Sequence, residues 1–281
     1  MELGLVLDYN KDFEGALEWC RDNEIPTCQL GLSPDELTDD NAEAIAQLTK
    51  KYNIRITAMV GHMSGPAEYT FTGGPATLGI VPPAFRAIRL HELKAWARFA
   101  KKLGVGDVCT HMGFIPENPS DGLYADFIAS LRHLMQYYGT LGIRLNMETG
   151  QETPTTLLRV ISDIKSDYLG INFDPANFLM YGKANPIDAL RMLAPYVYGV
   201  HAKDGEYPTC GAALGRERPL GEGMVNMTMF INTLFEVGYK GALTIEREIS
   251  GEQQKADIQA GKGLLEDLIT PKRFYPKKQP T

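Results

Sequence analysis

Glu148 in "RLNMET", Asp174 in "INFDPAN", His201 in "GVHAK" and Glu246 in "LTIERE" each close a short apolar stretch with a group able to bind a cation or move a proton. Side chains alternate faces along a strand. In these stretches the apolar residues share one parity (Leu145 and Met147, Ile171 and Phe173, Val200 and Ala202, Leu243 and Ile245) and the polar group takes the other. If the strands lie side by side, the four polar positions converge. An isolated buried carboxylate is costly or takes up a proton. Three carboxylates and an imidazole would therefore need something positive among them. That donor set suits one divalent metal ion, Mn²⁺ or Mg²⁺ first, with Zn²⁺ or Co²⁺ as further choices.

Other polar residues fall near the same ends. His111 shares the parity of Cys109 in "DVCTHMG" and is expected to donate to a substrate oxygen. Lys203 would either steady an oxyanion or pair with Asp174 or Glu246. His62, closing "IRITAMVGH", is a weaker counterpart of His111. Gln151 and Glu152 follow Glu148 on a loop from which they would reach substrate or face solvent.

The elements that must position these groups repeat along the chain. Strand patterns are expected at 3–8, 27–32, 54–62, 105–113, 143–150, 169–177, 197–205 and 242–248. Each is followed by a stretch with apolar residues at three- and four-residue steps, such as "HELKAWARFAKKLG". Gly104 and Gly142 are placed to end helices, and Thr153 with Pro154 to start one. Eight strand–helix units define an α/β fold, a single (β/α)8 TIM barrel spanning 1–281 as one domain. The other architecture considered is a doubly wound open sheet; it needs no eighth strand, and no GxGxxG follows the first strand here. Two long βα loops, about 63–85 and 204–224, are candidate walls or lids at the strand C-terminal ends, where a barrel keeps its site.

Composition narrows the class of partner. The chain is 44% hydrophobic and 22% charged with a net charge of −7, which disfavours nucleic acid or an anionic membrane as partner. No stretch has the length and apolarity of a membrane span. Four cysteines without CxxC spacing read as reduced thiols, so a cytoplasmic location is expected. The basic tail at about 271–281 reads as a solvated end.

"NMETGQE", "NFDPANF", "VHAKDG", "PLGEGMVNM" and "LTIEREIS" together resemble the sugar phosphate isomerase/epimerase family of the xylose isomerase-like TIM barrel superfamily, in its order and over essentially the whole chain. The resemblance implies that Glu148, Asp174, His201 and Glu246 are divalent-metal ligands. It also implies that Glu148 and Glu246 form the pair that moves protons in the family's ketose epimerases. Asn177 stands where those epimerases usually carry a substrate-touching histidine, which favours a less characterised branch. The expected activity is a metal-dependent isomerase or epimerase acting on a sugar or sugar derivative through an enediolate. A dehydratase of inosose type on the same metal and a non-catalytic carbohydrate-binding barrel stay open as alternatives. In the long loop after the third strand, Tyr69 and Phe71 would either stack on a sugar face or pack the loop on itself. A trinuclear nuclease of endonuclease IV type needs more histidines than the five present, two of which, His91 and His133, lie in helical patterns. The partner is expected to be a small-molecule carbohydrate, with a homo-oligomer (dimer or tetramer) compatible with a helical exterior.

Overall fold

The computed structural model describes residues 1–270, and the basic tail lies outside them. The strands are β1 Leu3–Asp8, β2 Thr27–Leu32, β3 Arg55–Gly61, β4 Asp107–Thr110, β5 Arg144–Glu148, β6 Leu169–Phe173, β7 Val197–Ala202, β8 Asp204–Gly205, β9 Glu217–Arg218 and β10 Leu243–Ile245. All but β8 and β9 close into a parallel barrel in the order β1-β10-β7-β6-β5-β4-β3-β2. β8 and β9 form a small antiparallel pair in the loop after β7. The helices are α1 Phe13–Asp22, α2 Asp39–Tyr52, α3 Gly74–Thr77, α4 Pro83–Leu103, α5 Gly122–Leu141, α6 Pro154–Ile164, α7 Pro175–Met180, α8 Pro186–Leu193, α9 Met227–Glu236 and α10 Glu252–Ile269. The (β/α)8 reading holds.

Local chemistry accounts for the helix limits. Gly104 and Gly142 end α4 and α5 in the left-handed region, at φ 72° and 70°, which glycine enters without a Cβ clash. The Thr153 side chain accepts from the Thr156 amide at the start of α6, with Pro154 following. Several strands are shorter than their apolar stretches suggest. The ladder of β4 stops at Thr110, that of β7 at Ala202 and that of β10 at Ile245. His111, Lys203 and Glu246 thus sit on the first residues that leave the sheet.

The outward parity of the strands makes the core against the helices, as Phe173 stacking on Phe230 of α9 at 5.9 Å shows. The inward parity is polar in mid-barrel, where branched apolar residues are usual. Gln29, Asn146, Asn172, His201 and Thr244 are all buried. Gln29 and Asn172 each sit where the strand register slips by a residue, and the Gln29 amide donates to Asn172 Oδ1 at 3.0 Å. Gly199 makes that contact feasible, since a methyl there would lie 2.2 Å from Asn172 Oδ1.

The long loops are anchored by buried charge. Asp204 Oδ1 accepts from the amides of Gly205 (2.9 Å) and Val225 (3.0 Å), and Oδ2 from those of Gly221 (3.0 Å) and Gly223 (3.1 Å). One carboxylate therefore holds the "PLGEG" turn against β8. Replacing it strands several backbone donors, so Asp204→Ala is expected to lower unfolding free energy by about 3 kcal/mol. Urea denaturation checks this, and a loss near zero would show that the turn does not depend on this anchor.

Candidate metal and substrate site

Four strands deliver the ligand set. Glu148 ends β5, Asp174 follows β6, His201 lies in β7 and Glu246 follows β10. One donor atom from each of Glu148, Asp174, His201 and Glu246 lies within 4.8 Å of the others. His201 Nδ1 faces Glu246 Oε2 at 3.2 Å, Glu148 Oε1 at 3.4 Å and Asp174 Oδ2 at 3.5 Å. Neither His201 Nδ1 nor Asp174 Oδ2 makes a well-formed hydrogen bond. Two buried, unpartnered donor atoms aimed at one point fit a divalent cation, and so does the mixed oxygen and imidazole chemistry.

His201 is oriented from behind. Its Nε2 lies 2.9 Å from Gln29 Oε1. The Gln29 nitrogen is committed to Asn172, so Oε1 accepts and Nε2 carries the proton. This leaves Nδ1 as the atom that faces the carboxylates, the arrangement that orients a metal-binding imidazole. Burial opposes a charge on His201, but Glu246 and Glu148 outweigh it and hold the imidazole well above its usual value. A proton on Nδ1 thus occupies the position a divalent cation would take.

The carboxylates respond unequally to the same surroundings. Burial pushes Glu246 up, yet Lys203 and His201 hold it well below the usual carboxylate range. Burial likewise opposes ionisation of Glu148, and the two imidazoles of His111 and His201 bring it below its ordinary value. In Asp174 burial wins over Lys203 and His201, and the carboxyl is raised. Asp174 Oδ1 also accepts from the Asn177 amide at 2.9 Å, capping α7.

Lys203 is only 1% exposed. Its ammonium donates to Glu246 Oε2 at 2.9 Å and lies 3.2 Å from Glu248 Oε2 and 3.8 Å from Asp174 Oδ2. Of the two roles expected for it, ion pairing with the site carboxylates is the one the structure places. Asn177 links the two sides of the site, donating to Glu148 Oε1 at 3.4 Å and accepting from Lys203 at 3.5 Å. His111 Nε2 lies 3.5 Å from Glu148 Oε1. His62 sits at the rim, half-exposed, 3.2 Å from Asp8 Oδ1. A cavity of about 250 Å³ lies beside them and is lined by His62, Tyr69, Arg89, His111, Glu148, Glu246 and Glu248 among others.

The loop after β5 differs from a solvated one. Gln151 and Glu152 are buried, and neither carboxylate oxygen of Glu152 has a well-formed hydrogen bond. They do not line the cavity. Tyr69 and Phe71 also part company: the Tyr69 ring stands edge-on to His111 at 5.5 Å, while Phe71 packs on Tyr181 at 6.3 Å. Trp96 is fully buried core. The reading of the residues missed Gln29, although a glutamine amid the apolar residues of "TCQLGL" is a visible anomaly. It also missed Glu248, which shares the parity of Glu246.

Residues 17–268 match the family described as xylose isomerase-like TIM barrel, and the chain belongs to that family. A crystal structure of a xylose isomerase domain protein from Planctomyces limnophilus is similar at 35% identity and a TM-score of 0.89, covering 95% of this chain and 96% of that one. The fold is also that of 3-keto-D-glucoside 4-epimerase from E. coli (13% identity, TM-score 0.71, 95% and 99% covered). It is shared too by a probable 3-DHS dehydratase from Bacillus anthracis (16%, 0.70, 94% and 98%). An uncharacterized protein of Methanocaldococcus jannaschii is 27% identical over 152 residues, and the match spans half of each chain. Among the described residues no helix is long and apolar enough to cross a membrane.

Glu152 yields a prediction with a definite sign. Burial pushes its carboxyl from an ordinary 4.5 up to about 8, against the pull of nearby backbone amides and Lys183. The folded protein therefore holds a proton that the unfolded chain has lost between these values, and stability from this group falls as pH rises through that window. Glu152→Gln removes the proton uptake. The variant is expected to gain on the wild type by about 1.4 kcal/mol per pH unit across the window, as read from paired denaturation curves. A constant difference at all pH values would contradict a neutral Glu152.

Proposed function

We propose that the protein is a divalent-metal-dependent isomerase or epimerase of a small sugar or sugar derivative, working by proton transfer next to a carbonyl. The observation that carries this reading is the convergence of Glu148, Asp174, His201 and Glu246, with one donor atom of each within 4.8 Å of the rest, beside a cavity that Glu148 and Glu246 also line. Glu148, Asp174, His201 and Glu246 would hold the cation, Mn²⁺ or Mg²⁺ before Zn²⁺ or Co²⁺. A divalent cation there supplies Lewis acidity, which lowers the cost of negative charge on a substrate carbonyl.

The remaining work falls to the chain's own residues. Glu148 is ionised and reaches the cavity, so it is placed to remove the proton from the carbon beside the carbonyl. Return of that proton by Glu148 to the neighbouring carbon, with the adjacent hydroxyl proton passing to the former carbonyl oxygen, gives an isomer. Delivery of a proton to the other face by Glu246, which must first take one up because Lys203 and His201 hold it ionised, gives an epimer. Lys203 keeps Glu246 in place through its 2.9 Å bond. His111 stands 3.5 Å from Glu148 and can donate to a substrate oxygen at the mouth. His62 takes the outer rim of the same cavity. Asn177 fixes the distance between Glu148 and Lys203, a positioning role rather than that of a substrate-touching histidine. Gln151 and Glu152 lie buried behind Glu148, off the cavity lining, and would meet substrate only after a shift of that loop. The cavity is smaller than the roughly 300–1,000 Å³ of sites for drug-sized ligands, which suits a single sugar unit.

Incubation with Mn²⁺ in D₂O, against pooled ketoses, aldoses, keto-sugar acids and inososes, tests the proton transfer by NMR. Deuterium is expected at a carbon beside the carbonyl, and Glu148→Gln is expected to slow that exchange by about 10²–10⁴-fold. Bound metal without exchange in any compound would sink the isomerase reading. A product lighter by one water would assign a dehydratase instead.

The orienting role of Gln29 is testable without turnover. Gln29→Leu removes the acceptor behind His201 and is expected to weaken Mn²⁺ binding by about 10–100-fold, whereas Gln29→Glu keeps an acceptor and most of the affinity. Equal affinity in all three proteins by calorimetry would remove Gln29 from the site.

A further inference from the structure

The segment between β3 and α4 is a long excursion with only the short α3 inside it, yet it is tied at both ends to one side chain. Arg89 of α4 is 1% exposed. Its Nε donates to Ser64 O at 3.0 Å and its Nη2 to Pro66 O at 2.9 Å, at the entrance of the loop. Its Nη1 donates to Thr77 O at 2.5 Å and Gly79 O at 2.7 Å, at the exit. All four acceptors are backbone carbonyls. A guanidinium has five N–H donors in a rigid fork, so this geometry fixes four points of the loop at once, which a lysine cannot do. Glu92, one turn along α4, accepts from the Ser64 amide at 3.0 Å.

The loop exit is registered against the site by its backbone. Ile80 N donates to Met112 O at 3.0 Å, next to His111. Gly79 has φ +66°, and a methyl there would lie 1.9 Å from Met112 O, so only glycine allows this approach.

What the anchored loop presents to the cavity is mostly apolar. Met63, Ala67, Leu78 and Tyr69 line it on this side, while Glu148, Glu246 and Glu248 supply its carboxylates. Tyr69 is 51% exposed and stands edge-on to His111. A half-exposed aromatic ring lining a cavity shared with a carboxylate cluster offers a flat apolar surface to a molecule whose oxygens face the other way. A monosaccharide has that two-sidedness, with hydroxyl edges and a C–H face.

We propose that Tyr69 is a specificity-determining residue, the platform for the C–H face of a single sugar unit, and that Arg89 is the positioning residue that holds it there. This rests on the sugar reading of the site given above.

The test uses the Mn²⁺-loaded protein, D-fructose and D-psicose as probes, and calorimetry as the readout. Tyr69→Ala is expected to weaken ketose binding about tenfold or more, the scale of a lost aromatic contact, with Mn²⁺ affinity unchanged. Arg89→Lys is expected to do the same and to raise amide hydrogen exchange in residues 63–82 but not in 204–225. Because Arg89 acts through Tyr69, Arg89→Lys is expected to cost little more once Tyr69 is alanine, so the two losses do not add. Additive losses would overturn the positioning role, and undiminished binding by Tyr69→Ala would overturn the platform. If the wild type binds neither ketose while Arg89→Lys still loosens the loop, Tyr69 as a ketose platform fails and the hold of Arg89 on the loop stands. If the loop does not loosen either, both fail.

Discussion

The density of negative charge at one end of the barrel is the constraint that the rest of the structure answers. Glu148 and Asp174, which are buried, converge with the partly buried Glu246 in a place where ionised carboxylates are expensive. Lys203 lies against Glu246 and Glu248, and His201, whose basicity the carboxylates raise, faces Glu148, Asp174 and Glu246. The cluster is thus both a liability and a device. The charges that make it costly are also a set that could hold a divalent cation, and removing one partner would leave an uncompensated ion in the interior.

That constraint reaches the opposite side of the barrel wall. Orientation of His201 depends on Gln29, and orientation of Gln29 depends on Asn172. Both amides sit at slips in strand register, where the backbone re-aims a side chain. An interior layer of amides and a threonine replaces the usual branched apolar filling and sets fixed dipoles behind His201.

The two long loops follow a common rule with opposite signs. After β3, a buried guanidinium gathers backbone carbonyls; after β7, the buried carboxylate of Asp204 gathers backbone amides. Each side chain substitutes for the partners that a sheet or helix would give to the same peptide groups. The loops are therefore built as walls on a fixed frame.

Much was legible in the sequence by itself. The eightfold alternation, the helix stops at Gly104 and Gly142 and the shared parity of Glu148, Asp174, His201 and Glu246 all follow from periodicity, because side-chain direction along a strand is a local property. Tertiary structure alone decided where strands ended, and so put His111, Lys203 and Glu246 just beyond the ladder. It alone buried Gln151 and Glu152, which were expected to reach substrate or face solvent, and separated Tyr69 from Phe71. It paired Lys203 with Glu246 and Glu248, and made Arg89, one basic residue among several on α4, the anchor of a distant loop. Those outcomes depend on contacts between residues far apart in the chain. A local pattern specifies which way a side chain points, but its partner and its exposure exist only once the barrel has closed.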